Sequence, residues 1–146
     1  MSDISQAALQ AAISQVGKQE IPKGSNWGPD VKGYLDSVDI HCPASWCMAF
    51  VYWCFNQQQP NPLFKTGGVL MQYQQRHQNI VNTPQPGDIF IMDFGHGLGH
   101  TGIVESVGDQ IVHTIEGNTN DDGSREGYEV CRRTRQISKM KGFLRF

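Results

Sequence analysis

The sequence predicts an α+β fold, with N-terminal helices packed on an antiparallel sheet of about five strands. Two observations carry that expectation. Apolar residues recur at helical spacing before Pro84 and Pro86, whereas afterwards short β-branched runs alternate with Gly, Asn and Asp turn signals. Helices first and a strand meander second differ from the alternating βαβ order of a parallel sheet. At 146 residues the chain is expected to form one domain spanning 1–146, with a core that needs no disulfide framework.

The elements follow in order. Ser2 or Asp3 caps a first helix running to about Val16, with Ile4, Ala8, Ala11, Ala12 and Val16 as its apolar stripe. Residues 21–26 form a turn-rich connector, and Pro29 suits the first turn of a short helix through Tyr34 and Leu35. After a loop over 37–44, a third, amphipathic helix is expected from about Trp46 to Gln57, burying Phe50, Val51, Cys54 and Phe55. Pro60 and Pro62 end it. A fourth helix covers Val69 to His77, interrupted upstream by Gly67 and Gly68. Strands are expected at Gly87–Met92, His100–Val107, Gln110–Ile115, Tyr128–Arg133 and Gly142–Arg145.

Composition excludes several classes. A formal charge of −2 does not make a nucleic-acid footprint over the whole chain. No apolar run approaches the length of a membrane span. Residues 1–16 lack the basic and apolar regions of a secretory signal, so synthesis in the cytoplasm is expected. Charge is uneven, however: seven Lys/Arg lie between Arg125 and Arg145 against only Glu126 and Glu129. That stretch reads as a solvated strand face or as a surface attracted to an anionic polymer.

The chemistry centres on Cys47. A cysteine in the first turn of a helix faces unpaired backbone N–H groups and the positive end of the macrodipole, both of which favour a thiolate. Gly99-His100-Thr101-Gly102 and Ile115-Glu116-Gly117-Asn118-Thr119 supply a base and its orienting partners downstream. Thiolate, imidazole and carboxylate are the parts of a nucleophilic acyl-transfer enzyme. The imidazole holds the thiol proton and returns it to a departing nitrogen, while a carboxylate or amide on its other nitrogen fixes its tautomer. The Cys47 N–H is the first donor to the oxyanion.

This reading sets a condition on strand register. A loop of Gly108-Asp109-Gln110 pairs Val107 with Ile111, Glu105 with His113, Ile103 with Ile115 and Val104 with Thr114, and puts Gly102 opposite Glu116 and His100 opposite Asn118. A two-residue loop would separate His100 and Glu116 onto opposite faces. The catalytic arrangement therefore needs the odd loop, or a bulge with the same effect.

Competing assignments are weaker. Cys42, Cys47, Cys54 and Cys131 match neither CxxC nor zinc-finger spacing; Cys54 falls on the same helical face as Cys47 and reads as core, and Cys42 and Cys131 can pair in an oxidising compartment. His96 and His100 mimic a metal pair, but the glycines between them oppose a helix and no HExxH exists, so no metal is expected. His41 and His77 read as loop or surface residues, and His113 as a cross-strand partner of Glu105.

Ser45-Trp46-Cys47-Met48-Ala49-Phe50-Val51 resembles the nucleophile signature of CHAP domains, the cysteine- and histidine-dependent amidohydrolases/peptidases of the papain-like NlpC superfamily. Pro86-Gly87-Asp88-Ile89-Phe90, Gly99-His100-Thr101-Gly102-Ile103-Val104 and Ile115-Glu116-Gly117-Asn118-Thr119 are similar to its later motifs, in the same order, and Gly24-Ser25-Asn26-Trp27-Gly28-Pro29 resembles an upstream segment. The resemblance spans roughly Glu20 to Phe146. It implies Cys47 as nucleophile, His100 as base and then acid, Glu116 as the orienting carboxylate and Asn118 as a further polar partner. Trp46, Asn26 and Trp27 would contact substrate. Ser45 replaces a common proline and is expected to cap the helix. Asp36 and Asp39 lack the acidic run of calcium-binding members, so no cofactor is expected.

Such domains cut peptidoglycan, at the N-acetylmuramoyl-L-alanine amide or within the stem or cross-bridge. With neither a signal nor a wall-binding module in the sequence, the expected setting is an antibacterial effector. It would act as a monomer in the periplasm or wall of a target cell, with a periplasmic immunity protein as partner. A phage endolysin of the same chemistry, a thiol deamidase or acyltransferase acting on protein, and a silent wall-binding domain are the alternatives.

Overall fold

The computed structural model describes residues 1–118 and 127–146. Thr119, and Arg125 and Glu126 of the basic stretch, lie outside the described residues. Among those described, four α-helices precede an antiparallel sheet: α1 (Asp3–Gln15), α2 (Pro29–Asp36), α3 (Cys47–Phe55) and α4 (Val69–Gln75), then β1 (Ile80–Val81), β2 (Ile89–Gly95), β3 (Leu98–Val107), β4 (Ile111–Glu116), β5 (Cys131–Gln136) and β6 (Gly142–Leu144). The spatial order is β1-β6-β2-β3-β4-β5, an α+β architecture.

Local chemistry sets the helix ends. Ser2 Oγ accepts the Ser5 N–H at 3.1 Å and starts α1. Pro29 opens α2. The helix α3 is apolar almost all round and buries every residue except Trp53, so it sits inside the molecule rather than presenting one stripe. Its first turn has no side-chain cap; Ser45 does not fill that role.

The sheet has two apolar faces. Ile89, Ile91, Ile103, Ile115 and Leu144 join α1, α2 and α3 in the main core. On the opposite face Phe90, Met92, Val104, Val112 and Phe143 form a smaller layer covered by Val81, Ile137 and Met140. By pleat alternation that second face also carries His100, Gly102, Thr114 and Glu116.

The β3–β4 register meets the catalytic condition by the bulge rather than by the odd loop. Ile103 pairs with Ile115 and Val104 with Thr114, as expected, but Val107 then pairs with Val112 across an even connection. A shift between Val104 and Ser106 leaves Glu105 out of the ladder and restores the phase. His113 consequently pairs with Ser106, not Glu105, and its Nδ1 meets Thr134 Oγ1 at 3.1 Å. Glu105 instead takes the Arg132 guanidinium at 2.9 and 3.1 Å.

Other boundaries moved for physical reasons. β5 starts at Cys131 because residues 128–130 bond elsewhere: Glu20 N–H to Tyr128 O, and Gly17 and Val130 N–H groups to Val130 O and Lys18 O. The short β1, unforeseen, is held by β6 through Ile80–Leu144 and Val81–Phe143. Asp88, almost fully buried, accepts from Arg145 Nε at 2.9 Å and Nη2 at 2.8 Å, tying β6 to the start of β2.

Candidate active site

The first turn of α3 abuts β3 and β4 at one end of a cavity of about 410 Å³. Asn26, Ser45, Cys47, Phe94, Leu98, Gly99, His100, Asn118 and Gly127 line it. Cys47 and His100 line the same cavity, close enough that the Cys47 side chain raises the His100 imidazole. On the far side of the ring, His100 Nε2 lies 2.8 Å from Glu116 Oε1. The Cys47, His100 and Glu116 side chains thus form one continuous row from groove to interior.

Glu116 is fully buried and receives four hydrogen bonds. His100 Nε2 and Arg135 Nη2 (2.6 Å) reach Oε1; Thr114 Oγ1 (2.6 Å) and Arg135 Nε (2.5 Å) reach Oε2. An ionised carboxylate only accepts, so the hydrogen shared with His100 sits on Nε2 and Nδ1 is left for Cys47. Burial alone would push the Glu116 carboxyl up, but the Arg135 and His100 bonds overturn it and hold the group at about 2. For His100, burial lowers the imidazole, while the nearby Cys47 and Glu116 side chains raise it to about 9. The charged forms of both groups are therefore the favoured ones in the folded protein.

Glycines make the approach possible. A Cβ at Gly102 would lie 2.7 Å from both Glu116 Cγ and Phe90 Cε2 and 2.8 Å from Ile115 O, so the Glu116 side chain crosses β3 over the space a side chain would fill. Gly102→Ala should cost about 1–3 kcal/mol of stability and lower turnover by about a hundredfold through a displaced carboxylate. Thermal unfolding and steady-state rates read the two effects. Gly33→Ala, with nothing within 4 Å of the added methyl, is the control and should leave both nearly unchanged.

The residues expected to touch substrate are distributed differently. Asn26 lines the cavity in a left-handed conformation (φ 56°). Trp46 does not: it is fully buried, stacks on Tyr34 at 5.6 Å, and donates its indole N–H to Glu20 Oε2 at 2.7 Å. Its indole faces the core because the helical turn that aims Cys47 at the groove aims its neighbour inward. Trp27 is half-buried against the same core and is not among the lining residues. Asn118, with φ 51°, lies past the end of β4 and reaches the cavity wall from there, not as a ladder partner of His100.

Sequence reading missed five contributors. Glu20, 2% exposed, accepts the Gly24 N–H at 2.9 Å with its other oxygen and so clamps the Asn26 loop to the residue preceding Cys47. Thr114 shares a pleat face with Glu116 within β4 itself, and Arg135 joins that face through the β5 register. Phe94 and Leu98, 55% and 63% exposed, rim the cavity from the β2–β3 hairpin. The basic stretch is only partly a solvated face: Arg135 turns inward to Glu116 and Arg145 to Asp88. Cys42 is an exposed free thiol, Cys54 a buried one, and Cys131 is half-buried. Among the described residues no three His, Cys, Asp or Glu side chains could hold a metal ion, and no helix is long and apolar enough to cross a membrane.

The chain belongs to the CHAP domain family, which matches residues 39–118. Its fold is that of two solved proteins. The wild-type endolysin LysIME-EF1 superposes with a TM-score of 0.62 at 18% identity, over 99% of this chain and 64% of that one. Ly7917 gives 0.58 at 17% identity over 96% and 61%. A second Ly7917 structure, with the hydrolyzing product of MDP, gives 0.57 at 15% over 96% and 62%. The chain thus spans a little over three fifths of each of those chains. No curated protein matches the sequence.

Proposed function

We propose that this chain is a peptidoglycan hydrolase that breaks an amide bond by cysteine nucleophilic catalysis. The observation that carries the reading is the Cys47–His100–Glu116 row opening onto a groove in a CHAP-family chain. The likeness to an endolysin and to a protein solved with a hydrolysis product supports it.

In this mechanism His100 holds the proton given up by Cys47, and the sulfur of that pair attacks the scissile carbonyl carbon. The Cys47 N–H, uncapped at the start of α3, donates to the developing oxyanion, with Asn26 and Asn118 available on the cavity wall. The tetrahedral intermediate collapses as His100 gives its proton to the leaving nitrogen, leaving a thioester. Water then attacks the thioester with His100 as base and releases the acid product. Glu116 holds the ring throughout and stabilises its imidazolium form. The bond cut is the muramoyl–alanine amide or a peptide bond of the stem or cross-bridge.

The test is loss of turbidity of purified sacculi, with mass spectrometry of the released muropeptides to name the bond. Cys47→Ala should lower the rate by at least about a thousandfold while leaving the fold intact. Sacculi that resist the native protein, or yield equally to the alanine variant, would sink the reading. As an antibacterial effector, the chain should lyse a sensitive cell when directed to its periplasm. Neutralisation by a periplasmic protein encoded beside it separates an effector from an endolysin.

A further inference from the structure

Arg135 is the least expected member of the buried row. It comes from β5, where Val112 is its ladder partner, yet its guanidinium runs along the sheet past Thr114 to Glu116. Both forks of a planar donor meet both oxygens of one carboxylate, the strongest geometry such a pair has. Arg135 is only 9% exposed and Glu116 not at all. Desolvation of that depth means that neither charge is screened as a surface pair would be. Phe90 packs against both ends of the arrangement, with its ring centroid 5.6 Å from the guanidinium carbon and 5.9 Å from the His100 ring.

We propose that Arg135 is a positioning residue for the reaction: its guanidinium fixes both the orientation and the charge of Glu116, and thereby sets the pH window in which Cys47 and His100 exist as a reactive pair. The proposal rests on the reading of Cys47 as nucleophile. When the thiol proton sits on His100, the charges of Cys47, His100, Glu116 and Arg135 alternate along the row and sum to zero. Three of the four alone would sum to −1 in a medium that penalises net charge. Other groups facing the row are Thr114 on β4, Phe90 and Met92 on β2, and Arg133 and Cys131, which share the Arg135 face of β5. Among the described residues none of these is a second carboxylate able to replace Glu116 or a cation bonded to it.

Removing the guanidinium charge favours proton uptake by every member of the row, and because the sites are coupled the macroscopic steps move together. A salt bridge that merely fastened β5 to β4 would change unfolding but not the position of those steps. The measurement is the rate at which iodoacetamide alkylates Cys47, followed by peptide mass spectrometry across about pH 4 to 10, with exposed Cys42 as the internal standard. Turnover of sacculi is measured in parallel.

Arg135→Gln keeps a hydrogen-bond donor but removes the charge. It should move both limbs of the Cys47 profile upward by about 1 pH unit, slowing alkylation on the acid limb about tenfold. Arg135→Lys keeps the charge as a point and loses the fork; its limbs should stay where the native ones are, with turnover about tenfold lower at unchanged KM. A folded Arg135→Gln protein with native limbs overturns the proposal. Should that variant fail to fold, Arg135→Lys decides: native turnover, or limbs displaced although the charge is kept, overturns it. Native Cys47 reacting no faster than Cys42 would remove the nucleophile itself, a distinct failure that takes the proposal with it.

Discussion

Glu116→Gln should abolish turnover and weaken the fold in the same protein. The amide has one acceptor oxygen and two N–H donors, whereas Arg135 presents an N–H to each of the two carboxylate oxygens. Either orientation of the amide points one of its N–H groups at an N–H of Arg135. The buried ion pair that both arms of the Arg135 guanidinium make with the carboxylate is also lost, so the loss in stability should be about 3–5 kcal/mol. Turnover should fall about a thousandfold or more, because the His100 tautomer that leaves Nδ1 free for Cys47 is no longer enforced.

The pH dependence gives this prediction a signature. Glu116 is depressed from its ordinary 4.5 to about 2, so its contribution to stability is complete above 4.5 and is lost as pH falls toward 2. His100 is raised from 6.5 to about 9, so its contribution is complete below 6.5 and is lost as pH rises through 9. Both contribute fully between 4.5 and 6.5. The gap in unfolding free energy between native protein and Glu116→Gln, followed by urea titration, should be widest in that window and narrow on either side. A gap of constant size across pH would mean that the two groups are not charge partners.

The parts of the site that were legible in sequence are those whose chemistry is local. Cys47 was found from its place at a helix start, and Glu116 was tied to His100 by the parity of a single hairpin. The side-chain period of a strand is enough to tie the two residues to one face, whether an odd loop or, as here, the bulge at Glu105 sets the phase. What stayed hidden depends on contacts between segments distant in the chain. Arg135 reaches Glu116 only because β5 starts at Cys131, and that start is set by bonds from residues 128–130 to residues 17–20. A run of arginines in one strand looks solvated until the pleat says which of them turn inward; Arg132 faces Glu105 at the surface while Arg135 is enclosed. Glu20 was invisible for the same reason, since its two partners, Gly24 and Trp46, belong to different elements.

Trp46→Ala should destabilise the protein by about 3–5 kcal/mol, roughly 10 °C or more in melting temperature for a chain of this size. The whole indole is enclosed, and its neighbours cannot close the gap without moving the α3 start: Tyr34 stacks on it, and Gly117 lies so near that a Cβ there would be 2.5 Å from Trp46 Cζ3. Trp46→Phe isolates the other half of the residue's role. It keeps most of the packing but leaves Glu20 Oε2 without its donor in a site 2% exposed, at a cost of about 1–3 kcal/mol. Pairing it with Glu20→Met, which removes the acceptor, gives a cycle whose coupling energy measures the bond itself. A residue that lined the groove would behave oppositely, with KM rising and the melting temperature nearly unchanged. The indole next to the nucleophile is therefore expected to act on the groove from behind, by holding the Asn26 loop and the first turn of α3 to one buried carboxylate. In the cycle, the drop in turnover should track the loss of that bond, and KM should stay where it is.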